Sequence, residues 1–197
     1  MASWNTIKHR LCIALLLGAA SIQAAVAAPI LSITATPNPA IVGSTVDVDV
    51  SIAGIADLYA YQFTLLFNPA LLQAAGPASE AQFLGTGGST FYDGGGVDNG
   101  VGAISFIFDS LIGPVPGVSG NGVLAHYSFS VIGAGTGVLS FSDLMYLDSS
   151  LNDLEVQADS LTLESTAVPE PAAYMLLGIG LVVLAATRRR KPGHAIG

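Results

Sequence analysis

The sequence predicts an all-β fold, a two-sheet β-sandwich that lies between two apolar chain ends. Short segments alternate apolar and polar residues with a period of two, which is the pattern of half-buried strands. Turn signals separate these segments, and the chain holds 23 Gly and 10 Pro among 197 residues. Helical periodicity is almost absent between the two ends. No repeat of fixed period occurs, so a propeller or a solenoid is not expected.

Residues 1–27 are predicted to be a signal peptide. A short basic region at 8–10 precedes the apolar run 11–20, and Ala25 and Ala27 supply the small residues that signal peptidase requires. Cleavage is expected after Ala27. An uncleaved N-terminal membrane anchor is the alternative, although the apolar run is short for a span.

The composition of residues 28–171 restricts their chemistry. The only cysteine, Cys12, lies in the predicted signal peptide, so neither disulfides nor cysteine chemistry are expected after cleavage. All 14 acidic residues lie in this region, from Asp47 to Glu170, and all six Lys and Arg lie outside it, so its formal charge is −14. Such a surface repels phosphate backbones, which excludes nucleic-acid binding. The acids must be solvated, hydrogen-bonded to backbone, or neutralised by bound cations.

Residues 28–166 are predicted to form the sandwich. The first predicted strand is 30–34. In 44–52, valine and isoleucine alternate with aspartate and serine, so this strand has one wet face. Residues 58–67 are apolar on both faces, which predicts a central strand. This strand is stopped by Asn68-Pro69, where Asn68 is placed to cap a single helical turn.

The second half of this domain is predicted to hold shorter strands. Residues 85–100 form a glycine-rich linker region, and 103–108 form a strand that Asp109 closes. Three apolar side chains of that strand are expected on one face: Ile104, Phe106 and Phe108. The remaining predicted strands are 123–132, 138–141, 145–147 and 154–163.

Several of these segments resemble the cohesin domain family. The resemblance rests on Leu58-Tyr59-Ala60-Tyr61-Gln62-Phe63, on Phe67-Asn68-Pro69-Ala70-Leu71-Leu72, and on Gly122-Val123-Leu124-Ala125 leading into Phe129. It implies that residues 28–166 fold as a jelly-roll sandwich. It also implies a non-catalytic module that binds a partner, and dockerins are the known partners of cohesins in cellulosomes.

The C-terminal stretch, residues 167–191, has three parts in a fixed order. Residues 168–171 read Val168-Pro169-Glu170-Pro171, residues 172–187 carry no charge, and residues 188–191 are basic; a short tail, 192–197, follows. The apolar part would form about 24 Å of helix, against a bilayer core of about 30 Å. It is predicted to span the membrane with its basic end on the cytoplasmic side. A buried core helix beside a charged tail is the alternative.

This stretch resembles the PEP-CTERM protein-sorting signal of Gram-negative bacteria. The matching features are the tripeptide Pro169-Glu170-Pro171, the apolar span, and the cluster Arg188, Arg189 and Arg190. The resemblance implies cleavage near the tripeptide by an exosortase. The precursor would then be anchored in the inner membrane, and the product would reach the cell surface or the medium.

No catalytic constellation stands out, so the chain is not expected to be an enzyme. The predicted sandwich contains one histidine, His126, in the middle of a strand, where a structural role is the simpler interpretation. Ser128 would share its face, but no nucleophile elbow surrounds that serine. The acidic residues show no distinct pair that would suit a glycosidase.

Calcium is the one cofactor that the sequence suggests. Asp148, Ser150 and Asn152 alternate as in the first half of a calcium loop, and Asp93 and Asp98 flank a glycine-rich loop that offers further oxygens. The position where a calcium loop turns on glycine is not glycine here, so an ordinary β-turn is the alternative. Calcium is therefore a possible ligand rather than a required one.

Together these features predict an exported binding or structural module of the envelope or of the exopolysaccharide matrix of a biofilm. Its ligand is expected to be an unknown, dockerin-like protein or a polysaccharide. The alternative function is a carbohydrate-binding protein in polysaccharide processing, which an exposed row of aromatic rings would favour. The tyrosines available for such a row are Tyr59, Tyr61, Tyr92, Tyr127 and Tyr146.

Overall fold

The computed structural model describes residues 27–167 and 173–188. Within these ranges the chain is almost entirely β, with one short helix inside the domain and one helix after it. In chain order the elements are β1 (Ile30–Thr36), β2 (Ala40–Ile41), β3 (Thr45–Leu66), β4 (Leu72–Ala74), β5 (Ser79–Glu80), α1 (Gln82–Gly85), β6 (Thr90–Asp93), β7 (Gly96–Asp98), β8 (Ala103–Leu111), β9 (Val118–Val131), β10 (Gly135–Asp148), β11 (Gln157–Ala158), β12 (Leu161–Thr166) and α2 (Ala173–Arg188). The predicted all-β sandwich is confirmed.

The long strand β3 belongs to both layers of the sandwich. Its first half pairs with β1 on one side and β9 on the other, and its second half pairs with β8 and β10. The sequence predicts two separate strands here, 44–52 and 58–67. The chain instead continues through the junction because Gly54 and Asp57 adopt left-handed conformations, with φ of 72° and 58°, beside register shifts against β9. β3 is therefore a single strand that bends sharply at these two residues.

The two layers enclose one apolar core. The first layer contains β11, β1, the first half of β3, β9, and the short strands β4 and β5. The second contains β6 and β7, β8, the second half of β3, β10, β12 and β2. Phe67 and Phe129 meet edge to face across the layers, with ring centroids 5.0 Å apart. Tyr61 also bridges them, because its hydroxyl donates to the carbonyl of Leu124 at 2.7 Å. Burial of these side chains is the main stabilising contribution.

Several predicted boundaries are wrong. The predicted linker 85–100 contains β6 and β7, which are short edge strands that pair only with β8 among the described strands. The predicted strands 138–141 and 145–147 are one strand, β10, interrupted by a bulge. The predicted strand 154–163 is replaced by β11 and β12. Asn68 does cap a turn, since its Oδ1 accepts from the Ala70 N–H at 2.9 Å, and β4 then begins at Leu72.

The helix α2 has 16 residues and covers nearly all of the predicted span 172–187. Within the ranges that the structure describes, no helix is long and apolar enough to qualify as a membrane span. The membrane-spanning role of residues 172–187 therefore stays a prediction.

Candidate functional site

The outer face of the second layer carries exposed apolar side chains on neighbouring strands. Phe91, Phe106 and Met145 are 61%, 66% and 37% exposed, and Phe108 is half-buried between them. We call these four residues the apolar face. The register across the sheet places Met145 beside Gln62, Gln62 beside Phe108, and Phe108 beside Asp93.

Alternation along the strands produces this face. In β6 and β8, Tyr92 and Asp109 point inward, so their neighbours Phe91 and Phe108 point outward. The rings of Phe91 and Phe108 have centroids 6.3 Å apart. In β10, Tyr146 is buried and its neighbour Met145 is exposed.

A bulge in β8 turns Phe106 out of the core. Phe63 pairs with Ile107 and Leu65 pairs with Ile104, so two residues of β8 lie opposite Thr64 alone. Phe106 has a φ of 59°, a left-handed conformation that costs a bulky side chain on the order of 1–2 kcal/mol. The prediction that Ile104, Phe106 and Phe108 share one face is wrong, because Ile104 is buried while Phe106 is exposed. The bulge shifts the alternation by one residue.

A second bulge lies in β10, on the other side of β3. The pairing of β10 with β3 shifts between Ser142 and Met145, and Asp143 within it has a φ of 53°. Met145 is exposed on the outer face opposite Gln62, whereas Leu144 lines a groove with the inward-facing Tyr146. The bulges on the two strands that flank β3 therefore place Phe106 and Met145 on the same outer face, and sequence periodicity could not reveal either bulge.

The charge around the apolar face has one sign. Asp93 and Asp143 are exposed beside it. Residues 27–167 contain no lysine or arginine, and their single histidine, His126, lies on β9 in the other layer. The face therefore has an apolar centre and an acidic rim, which suits a partner with an apolar centre and basic groups around it.

His126 and Ser128 lie on the outer face of the first layer. His126 Nδ1 is 2.6 Å from Asp49 Oδ1, with the imidazole 47% exposed. The Ser128 hydroxyl donates to Asp47 at 2.7 Å rather than to the imidazole. These two separate pairs line a shallow groove of about 520 Å³. They form surface hydrogen bonds between β3 and β9, in agreement with the structural role predicted for His126.

The residues predicted to bind calcium form hydrogen bonds within the turns in which they occur. Asp148 Oδ1 accepts the backbone N–H groups of Ser150 and Asn152, each at 2.8 Å, and its Oδ2 accepts from the Asn152 side chain at 3.0 Å. These hydrogen bonds, led by that of the Asn152 side chain, lower the pKa of Asp148. Asp93 accepts from Gly95 N at 2.9 Å, and Asp98 accepts from Gly100 N at 2.8 Å.

The structure therefore brings Asp148 and Asn152 together but keeps the side chain of Ser150 out of these contacts. Among the residues that the structure describes, no three His, Cys, Asp or Glu side chains are grouped so that they could hold a metal ion. Calcium binding stays a prediction.

Few of the predicted processing residues lie in the described ranges. Ala27 is exposed and outside any strand, and Arg188 is the last residue of α2. The remaining members lie outside the described residues: Ala25, Val168, Pro169, Glu170, Pro171, Arg189 and Arg190.

Comparison with known families supports both resemblances. The family model for the cohesin domain matches residues 31–163, and the model for the PEP-CTERM protein-sorting motif matches residues 167–191. A comparison with curated proteins finds no match.

Solved cohesin structures have the same fold. One is a second type II cohesin module from a cellulosomal adaptor scaffoldin of Acetivibrio cellulolyticus, with a TM-score of 0.56, 16% identity, and coverage of 71% of this chain and 98% of that one. A type I cohesin–dockerin complex from Clostridium thermocellum gives a TM-score of 0.55 at 13% identity, covering 71% and 100%. A non-cellulosomal cohesin from the archaeon Archaeoglobus fulgidus gives 0.50 at 18% identity, covering 76% and 98%. The chain belongs to the cohesin domain family and carries a PEP-CTERM protein-sorting motif next to that domain.

Proposed function

We propose that this chain is an exported, exosortase-sorted interaction module that binds a protein partner through its apolar face. The observation that carries the proposal is the pair of bulges that turns Phe106 and Met145 outward. Contiguous exposed apolar side chains mark interaction surfaces on soluble domains, and rigid aromatic rings are frequent anchors in them. The left-handed backbone of Phe106 disfavours the folded state, so packing alone does not explain it.

The chemistry of the face defines the class of partner. An acidic rim around an apolar centre favours a protein segment with apolar anchors flanked by lysine or arginine. The related cohesin from Clostridium thermocellum was solved in a complex with a dockerin, so a dockerin-like module is one candidate. The partner would be met in the cell envelope or in the exopolysaccharide matrix.

The sorting motif supports the route by which the module reaches that partner. A PEP-CTERM motif at residues 167–191 implies export and processing by an exosortase in a Gram-negative cell. In this route signal peptidase removes residues 1–27, residues 172–187 hold the precursor in the inner membrane, and exosortase then releases or transfers the domain to the surface.

A carbohydrate ligand is the second candidate, because Phe91 and Phe106 are exposed aromatic rings on a flat sheet. Sugar binding usually combines ring stacking with polar groups at the ring edge. The tyrosines that would supply both are in other places: Tyr61, Tyr127 and Tyr146 are buried, and Tyr59 and Tyr92 are half-buried. The phenylalanines therefore favour a protein partner.

Affinity capture with face variants tests the proposal. The processed protein and its variants Phe91→Ser, Phe106→Ser and Ile132→Ser are used as bait with envelope fractions of the native host. Ile132 is 49% exposed but lies at the β9–β10 turn, so it is the matched control. A bound protein that both Phe variants lose and the Ile132 variant retains supports the proposal. Tight binding to a glycan array with no such protein would replace it with the carbohydrate function.

A further inference from the structure

Asp109 is a carboxyl group enclosed in the sandwich. It is fully buried on the inner side of β8, between its pairing neighbours Tyr61 on β3 and Tyr92 on β6. Neither of its carboxyl oxygens has a hydrogen-bond partner among the described residues. The hydroxyl groups of Tyr92, Tyr127 and Tyr146 are likewise buried without a partner. Such unpartnered polar groups are rare in a folded core, because each one loses its hydration without replacement.

Among the residues that the structure describes, no positive charge faces this carboxyl group. The titratable groups next to it are Tyr61 from β3, Glu80 from β5 and Tyr92 from β6, and Tyr127 from β9 and Tyr146 from β10 lie close to these tyrosines. Burial, with a smaller contribution from the negative charge of Glu80, raises the pKa of Asp109 to about 7; the nearby backbone N–H of Ser110 opposes this rise without reaching hydrogen-bond geometry. The packing around Asp109 therefore suits a neutral, protonated carboxyl group and leaves an ionised one unsolvated.

One edge of the domain covers this site. We call residues 79–93, which contain β5, α1 and β6, the edge segment. β5 adds only two residues to β9, and β6 pairs with β8 alone among the described strands. The two ends of the segment are joined by the Thr90 hydroxyl, which donates to Glu80 Oε1 at 2.6 Å.

The edge segment is held to the rest of the domain by backbone hydrogen bonds and by packing. Besides the strand pairing, Ala81 N donates to the carbonyl of Leu124 at 3.3 Å, and Ile112 N donates to that of Ser89 at 2.9 Å. Leu84 is 1% exposed, and the ring of Phe83 lies directly over Gly122, where any side chain would collide with it. Because Gly122 has no side chain, the edge segment can pack directly against β9. On its other side, β8 is fixed by its long pairing with β3. Water can therefore reach Asp109 most easily by displacing the edge segment.

We propose that the edge segment is a proton-controlled cover, packed closed while Asp109 carries a proton and opened to water when that proton leaves. In the open state the carboxyl group is hydrated and ionises near its ordinary pKa of 3.8, whereas in the closed state its pKa is about 7. Between these two values opening becomes more favourable by about tenfold for each pH unit, and above about pH 7 the effect levels off. Acidic conditions close the cover and neutral conditions loosen it.

Hydrogen exchange followed by mass spectrometry tests this cover in the processed protein between pH 4.5 and 8. After correction for the intrinsic exchange rate, the protection of residues 79–93 should fall by at least tenfold over this range, while that of residues 46–50 in β3 should not. Asp109→Asn stays neutral at every pH and should make the protection of the edge segment independent of pH. The exposed Glu155→Gln is the control and should behave like the wild type.

Two further measurements keep the proposal testable if Asp109→Asn does not fold. Glu80→Gln removes the adjacent negative charge, so the pH at which protection levels off should move downward. A carbon-13 NMR titration of the wild-type Asp109 carboxyl group should show a midpoint well above that of an ordinary aspartate. Protection that is the same at pH 4.5 and 8, or an Asp109 carboxyl group that titrates near 4, would overturn the proposal.

Discussion

Asp57 and Ser149 are 92 positions apart in the chain, yet the Ser149 hydroxyl donates to the Asp57 carboxylate at 2.7 Å. The other oxygen of the same carboxylate accepts from Gly117 N at 2.8 Å. One side chain therefore joins the bend of β3 to the β8–β9 loop and to the loop after β10. These hydrogen bonds, first of all that from the Ser149 hydroxyl group, lower the pKa of Asp57.

Replacement of Asp57 should destabilise the domain in a pH-dependent way. Asp57→Asn keeps a residue that tolerates the φ of 58° but removes the charge that strengthens both hydrogen bonds. Because a lowered pKa stabilises the ionised folded state, the loss should be complete above pH 4 and should shrink as the pH falls through the lowered pKa. Urea unfolding at pH 3 and pH 6 measures this difference. An equal loss at both values would contradict the assigned role.

Phe106 is expected to lower the stability of the folded domain and to contribute to binding of the partner. Phe106→Asn relieves the left-handed backbone conformation at an exposed position, so the free energy of unfolding should stay the same or rise by up to about 1 kcal/mol. Affinity for the captured partner should fall by at least about tenfold, as for a central aromatic anchor. Calorimetry and binding titrations of one preparation measure both quantities. A variant that binds as tightly as the wild type would remove Phe106 from the interface.

Calcium should stabilise the domain if the loop at Asp148 binds it. The thermal midpoint of the processed protein should be higher in calcium than in chelator, because a ligand that binds only the folded state stabilises it. Asp148→Asn should abolish the difference, whereas Glu155→Gln, which alters a nearby exposed acid, should leave it unchanged. If the wild-type protein has the same thermal midpoint in calcium and in chelator, the calcium prediction is wrong.

The ends of the processed protein should lie at the two predicted sites. Mass spectrometry of the protein from its native host should find Ala28 as the first residue and a last residue close to Pro169-Glu170-Pro171. Substitution of Arg188, Arg189 and Arg190 by glutamine should impair retention of the basic end in the cytoplasm and reduce processing. A delivered protein that still ends at Gly197 would contradict sorting by cleavage.

The regular strands and the family were predictable from the sequence, whereas the apolar face was not. Period-two alternation in 44–52 is a local signal, and it identified the inward valines of β3 correctly. The outward position of Phe106 depends on a bulge, and one extra residue reverses the face of every position after it. Short edge strands such as β6 owe their conformation to pairing with β8, and the glycines on either side of β6 make this part of the sequence resemble a linker.

The burial of Asp109 in the core likewise could not be predicted from the sequence. An aspartate after an apolar run predicts the end of a strand, yet β8 continues to Leu111 and encloses the carboxyl group. Only the pairing with β3 and β6 places it between Tyr61 and Tyr92, and neither of these strands is next to β8 in chain order. Burial of a polar group is a property of the assembled sheets and leaves no pattern in its own segment.

Because β3 runs without interruption through both layers, neither sheet has an independent boundary at which it could separate. Loss of one sheet removes hydrogen bonds from the strand on which the other is built. The domain should therefore behave as a single cooperative unit, with coincident calorimetric and spectroscopic transitions. For an exported protein, this means that the two sheets are lost together: apart from local opening of the edge segment, a copy retains both sheets or neither.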